Sequence, residues 1–136
     1  MSDSGLTKVG LGWNVTFSPA PGASNHCSVT IQVKDNDGNN IDEAIGLVVW
    51  LSDEPDGSDL TNTAISGSAL AAATGGGTLL GQLTAKKAAY VVTNNDGAFI
   101  LDIEDSAKTA FYVCAVVPGQ PGRIAVSDVL ATADYA

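Results

Sequence analysis

Residues 90–117 read YVVTNNDGAFILDIEDSAKTAFYVCAVV, and this stretch decides the fold. Tyr90-Val91-Val92-Thr93 is aromatic and β-branched, which suits a strand. Asn94-Asn95-Asp96-Gly97 supplies residues that tolerate positive φ, so it predicts a tight hairpin that nucleates the domain. Phe99, Leu101 and Ile103 then recur at period two around Asp102 and Glu104, the mark of a half-buried strand. Asp105–Lys108 is a second turn, and Thr109–Val117 a third apolar run. Strand, turn, strand, turn, strand makes this an all-β chain.

The pattern extends in both directions. Val9, Leu11, Trp13, Val15 and Phe17 share one phase and predict a first strand, which the Pro19/Pro21 segment Ser18–Asn25 should end. Cys27, Val29, Ile31 and Val33 alternate with polar residues in a second. Asp35–Asn40 has the composition of a turn. Ile45–Ser52 is apolar in both phases, Leu47, Val49 and Leu51 on one side, Val48 and Trp50 on the other. Such a strand is either buried on both sides or faces a partner. Residues 53–85 read as a long insertion, acidic from Asp53 to Asp59 and then rich in Ala, Gly, Ser, Thr and Leu, with a weak helical signal at Ala69–Ala73 and a short strand at Leu79–Thr84. Arg123–Leu130 predicts a last strand, and Ala131–Ala136 carries no signal. Seven to eight short strands with regular turns and no convincing helix predict an antiparallel, immunoglobulin-like β-sandwich. It would be a single domain over residues 1–136, with an N-terminal arm at residues 1–8.

Composition narrows the function. The 136 residues suffice for a real core, and 45% of them are hydrophobic. Fifteen acidic against six basic residues give a net charge of −9, which repels phosphate backbones and argues against nucleic acid as a partner. No secretory leader or membrane-spanning run is evident in the sequence, so a product kept in the cytoplasm where it is made is expected.

Catalytic chemistry finds little to use. His26 is the sole histidine, and on a strand it points away from its neighbour Cys27, so the two are badly placed to act together. Asp35-Asn36-Asp37-Gly38-Asn39 starts like a calcium loop, but Gly38 is too early and Gly46 stands where the bidentate Glu belongs, so a plain turn accounts for it. Gly75-Gly76-Gly77 lacks the Lys and helix of a phosphate loop. No enzyme, cofactor or metal is expected. Cys27 and Cys114, the two cysteines, are expected as free core thiols, with a bridge between them as the alternative.

Several segments carry a resemblance. Ala110-Phe111-Tyr112-Val113-Cys114 resembles the Tyr-x-Cys stretch of immunoglobulin domains, with Trp50 between the two cysteines in chain order. Val33–Asn39, Val49–Asp53, Leu83–Lys87, Thr93–Ile103 and Phe111–Val113 together resemble small immunoglobulin-like virion surface proteins of tailed bacteriophages. The resemblance implies a head decoration or cement protein made in the host cytoplasm and carried on the virion. Its partner would be the major capsid protein, its state a homo-oligomer with a trimer favoured, and it needs neither membrane nor nucleic acid. A glycan-binding or host-binding module of a fibre or tail is the alternative. Interface candidates are Trp13, Trp50, Leu70, Leu79 and Leu80.

Overall fold

A computed structural model describes residues 12–120 and 122–136. These form nine strands: β1 (Asn14–Pro21), β2 (His26–Lys34), β3 (Gly46–Ser52), β4 (Ala71–Ala72), β5 (Thr78–Thr84), β6 (Ala88–Val92), β7 (Ala98–Glu104), β8 (Tyr112–Val116) and β9 (Ile124–Val126). One sheet runs β1–β2–β7–β4 and the other β5–β6–β3–β8–β9, with every pairing antiparallel. Two such sheets face to face, β1–β2–β7 against β3–β8–β9, make an antiparallel β-sandwich. The strand count exceeds the expected seven to eight because the insertion adds edge strands to both sheets.

Period-two patterning explains the core. Cys27, Val29, Ile31 and Val33 of β2 and Phe99, Leu101 and Ile103 of β7 meet Leu47, Val49 and Leu51 of β3 and Val113 and Ala115 of β8. All are buried in one continuous cluster, so the two sheets share a single core.

The turn at Asn94–Gly97 is present, but it closes no hairpin. Asn94 N–H donates to the Ala98 carbonyl at 2.8 Å, and Asn94 Oδ1 accepts from Asp96 and Ala98. Yet β6 belongs to the five-stranded sheet and β7 to the four-stranded one. Thr93 N–H donates to the Ile45 carbonyl, and Val33 N–H donates to the Gly97 carbonyl. The turn therefore lifts the chain from one layer to the other, a gap of about 10 Å. The second turn, at Asp105–Lys108, carries the chain back, from β7 to β8.

Gly97 is fixed there twice over. It holds φ +74, and an added Cβ would come 2.6 Å from the Ile41 carbonyl oxygen, whereas Gly38, at φ +84, has open space around it. Gly38→Ala is expected to cost about 1–2 kcal/mol, the left-handed backbone penalty alone. Gly97→Ala should cost more, and the order of the urea midpoints checks this.

Four further expectations change. β1 continues through Pro19 and Pro21 instead of stopping at Ser18, which an edge strand permits because one side of it needs no N–H donor. Ala71–Ala72 is strand rather than helix, paired with Asp102 and Leu101 of β7. The insertion is built into the fold: Ile65 and Leu70 enter the core, Gly67 N–H donates to the Glu104 carbonyl, and Gly76 brackets Ile100. The tail is structured too, with a 3-10 turn at Thr132–Asp134 and a buried Tyr135 whose hydroxyl donates to the Thr109 carbonyl at 2.7 Å. Residues 1–8 of the expected arm, with Val9 and Leu11, lie outside the described residues.

Candidate functional site

The two outer faces of the sandwich differ in chemistry. On the four-stranded sheet, the outward phase of β2 is Ser28, Thr30, Gln32 and Lys34, an ordinary wet surface. On the five-stranded sheet, registers place Val48 opposite Tyr90, Trp50 opposite both Ala88 and Cys114, and Val116 opposite Ile124, all in the outward phase. Thr78, Thr84, Tyr112, Val92 and Val126 complete that phase. None of these strand positions is charged, in a chain of net charge −9. Tyr90, Val116 and Ile124 stay exposed on it. Exposed apolar side chains gathered on one face make it the candidate contact surface.

The face has relief. At the end where β3 begins and β8 finishes, Gly46, Val48, Tyr90, Val116 and the Pro118–Gln120 turn line an open trough of about 320 Å³. The glycine at position 46 leaves room for the Tyr90 hydroxyl, which lies 2.7 Å from where a Cβ would stand and would have to swing aside for one. At the opposite end the acidic loop after β3 folds back over the sheet as a ridge. Trp50 Nε1 donates to the Gly57 carbonyl at 3.1 Å, and Gly57 sits so close on Cys114 that an added Cβ would be 3.0 Å from its Sγ. The ridge is pinned at its base: Thr61 N–H donates to the Leu51 carbonyl, while the Asp53 carboxylate accepts from the Thr61 hydroxyl and the Asn62 N–H. The Thr61 hydroxyl first, then the Asn62 N–H, hold the Asp53 carboxyl below the usual carboxylate range. Leu60, in the same loop, is 40% exposed and lines a second hollow with Val48, Trp50, Ala88 and Ile124.

The interface candidates separate. Trp50 is half-buried beneath the ridge, and Leu80 is 57% exposed on β5, at a register shift in the edge strand. Leu79, one residue earlier, packs against the core. Trp13 and Leu70, 3% and 2% exposed, are withdrawn as surface candidates because their apolar area is spent inside the sandwich. Trp13 is further tied down at its carbonyl, which accepts from Gln120 Nε2 at 2.6 Å and from Arg123 Nη1 at 3.4 Å. Tyr90, Val116, Ile124 and Leu60 were not singled out from sequence. A signal existed for Tyr90 and Val116, since β6 and β8 are apolar in both phases; Leu60, in a loop, and Ile124, on the short β9, had none of that kind.

The residues considered for chemistry do not converge. His26 and Cys27 point to opposite sides of β2: Cys27 is in the core, and His26 Nδ1 donates to Asp102 on the outer face at 2.9 Å, with Nε2 3.8 Å from Glu104. Asp35–Asn39 is a closed turn in which Asp35 Oδ1 accepts from the Asp37 and Asn39 N–H groups. No group of three or more potential metal ligands gathers among the described residues. No helix among them is long and apolar enough to cross a membrane.

Both cysteines are free. Cys27 faces the core, whereas Cys114 shares the outward phase of Trp50 and lies under Gly57, so the β8 phase is one residue off that of a bridged immunoglobulin domain. Burial first, then the nearby Asp134, pushes the Cys27 thiol up to about 11. Burial and Asp56 push Cys114 up to about 12. Native protein at pH 8 is therefore expected to resist iodoacetamide at both positions, and urea-unfolded protein to take up two equivalents without reductant, as read by intact mass.

Comparison with protein-family models, with curated proteins and with solved structures gives no match to this chain.

Proposed function

We propose that this chain is a structural component of a tailed-phage particle, a head decoration or cement protein that binds the major capsid protein and stabilises the shell. The observation that carries the reading is the uncharged, apolar outer face of the five-stranded sheet on a chain of net charge −9. General acidity keeps free subunits apart, and a neutral apolar face gives them one place to associate. Three of the five segments that resemble phage surface proteins fall on that sheet, where Val49–Asp53 enters the ridge, Leu83–Lys87 turns into β6 and Phe111–Val113 opens β8, while Val33–Asn39 and Thr93–Ile103 belong to the end of β2 and to β7 in the other sheet. In this reading the protein works by contact and not by catalysis. It is made in the host cytoplasm and assembles in many copies on the finished head.

The test compares phage particles with and without the gene. The expected result is a band at 13.7 kDa in purified virions, and heads without it that rupture at lower temperature or on osmotic shock. Virions lacking the band, or heads equally robust without it, would remove the proposal. Glycan binding by the isolated domain with no affinity for heads would move it to a fibre or tail.

A further inference from the structure

Four strands form the edges of the two sheets, and three of them offer little to a further strand. β1 is interrupted by Pro19 and Pro21, β4 has two residues and β9 three. β5 is different. It has seven residues, Thr78–Thr84, with no proline and no charge, and six of the seven are exposed. Beyond its ladder to β6, only the Thr84 carbonyl is engaged, accepting from Lys87 N–H at 3.0 Å. The rest of the β5 backbone takes part in no other hydrogen bond among the described residues.

Register locates the leucines on this edge. The β5–β6 pairing slips between Leu79 and Gly81 and again between Gln82 and Thr84, so Leu80 and Leu83 are the extra residues of two bulges. A bulge bends its strand and re-aims a side chain. Leu80 and Leu83 are 57% and 60% exposed, the most open large apolar side chains among the described residues. The bulges also break the edge into short runs, which suits one added strand and hinders open-ended stacking.

Charge indicates what that strand carries. All fifteen acidic residues lie outside residues 60–95, a span that holds β4, β5, β6 and two of the six basic residues, Lys86 and Lys87. At 0.15 M salt the screening length is about 8 Å, so near charges decide and the net −9 does not. Asp53 of the ridge lies beside Lys87. Lys86, in the turn from β5 to β6, is in no ion pair among the described residues. Its N–H donates to Gln82 Oε1 at 3.3 Å, and its φ is +66, a left-handed backbone that glycine would hold at less cost. The β5 of a second copy has no carboxylate to set against it.

We infer that β5 is a docking edge for an extended segment of a partner protein, added to this sheet as a further strand, with apolar side chains against Leu80 and Leu83 and an acidic side chain against Lys86. Backbone hydrogen bonds supply the attachment, and alternate side chains the selectivity. The edge is separate from the outer face, and it is tested on the purified chain with no heads present, so it does not depend on the virion reading.

The probe is a blocked peptide of four Val-Glu repeats, titrated into the isotope-labelled full chain in 0.15 M salt, with a Val-Lys peptide of equal length beside it. The expected result is a Kd on the order of 0.1–1 mM, with amide shifts and slowed exchange along Thr78–Thr84, and binding of the Val-Lys peptide about fivefold weaker. Leu83→Asp is expected to weaken binding of the Val-Glu peptide about tenfold while the thermal midpoint persists, because that side chain is already 60% exposed. Should that variant misfold, Lys86→Gly serves instead: it removes the charge and relieves the left-handed backbone, so stability holds while the preference for the Val-Glu peptide disappears. Shifts centred on Val48, Tyr90 and Val116, equal affinity for the two peptides, or binding of neither overturns the inference. Shifts along β5 that appear as the chain alone is concentrated overturn it in favour of a second copy.

Discussion

Phe99→Ala is expected to cost about 3–5 kcal/mol, the range for emptying a fully buried aromatic site. Phe99 is fully buried on β7, the central partner of both β2 and β4, and packs beneath the Gly77 crossing. Because a domain of this kind has about 5–15 kcal/mol in total, the loss takes about a fifth or more of its stability. Urea unfolding followed by tryptophan fluorescence measures it. Tyr90→Ala gives the contrast. That ring lies on the outer face and not between the sheets, so its removal is expected to move monomer stability by less than about 1 kcal/mol.

Asp105→Ala is expected to cost about 3 kcal/mol, because it strands several backbone donors in a closed site. Asp105 is buried at the turn from β7 to β8, and its carboxylate accepts from the N–H groups of Thr109 at 3.0 Å and of Ala107 and Ser66 at 3.3 Å. One side chain thereby shapes the layer-crossing turn and ties the insertion to it. Burial alone would raise its pKa, but the hydrogen bonds from Thr109, Ala107 and Ser66 outweigh it and hold the carboxyl below the ordinary 3.8. With the folded-state value depressed, the stabilisation is complete above the unfolded-state value near 3.8 and disappears as pH falls through the folded-state value. The gap in unfolding free energy between the native chain and Asp105→Asn should therefore be constant from pH 5 to 7 and narrow below about pH 4. A gap that widens on acidification would show that the carboxylate is not what the three donors hold.

The strands were legible wherever one phase was apolar and the other polar. β2 and β7 fall where Cys27–Val33 and Phe99–Ile103 place them, because side chains alternate sides at every residue and the core takes only one side. Asn94–Gly97 showed its turn chemistry equally well. It did not show its destination, since a tight turn obeys the same local φ requirements whether it joins partners or crosses between layers. The edge strands were obscured for related reasons. Pro19 and Pro21 argue against a central strand and say little about an edge, and Ala71–Ala72 is too short to show a period. Tyr135 gave no signal because a lone aromatic near the end of a chain has no pattern around it. The apolar outer face was half legible: the two apolar phases of Ile45–Ser52 suggested a partner, but the trough needs Val116 of β8 and Tyr90 of β6 brought beside Val48, and only the sheet order does that.

In the proposed role as a head protein, the outer face of the five-stranded sheet is covered in the assembled particle. An electron-microscopy reconstruction of the head tests this in place. The expected result is a nine-stranded sandwich on the outer shell, in many copies, with Val48, Tyr90 and Val116 buried against protein. A head surface without the sandwich, or a sandwich held there by other contacts with those three side chains open to solvent, would contradict it.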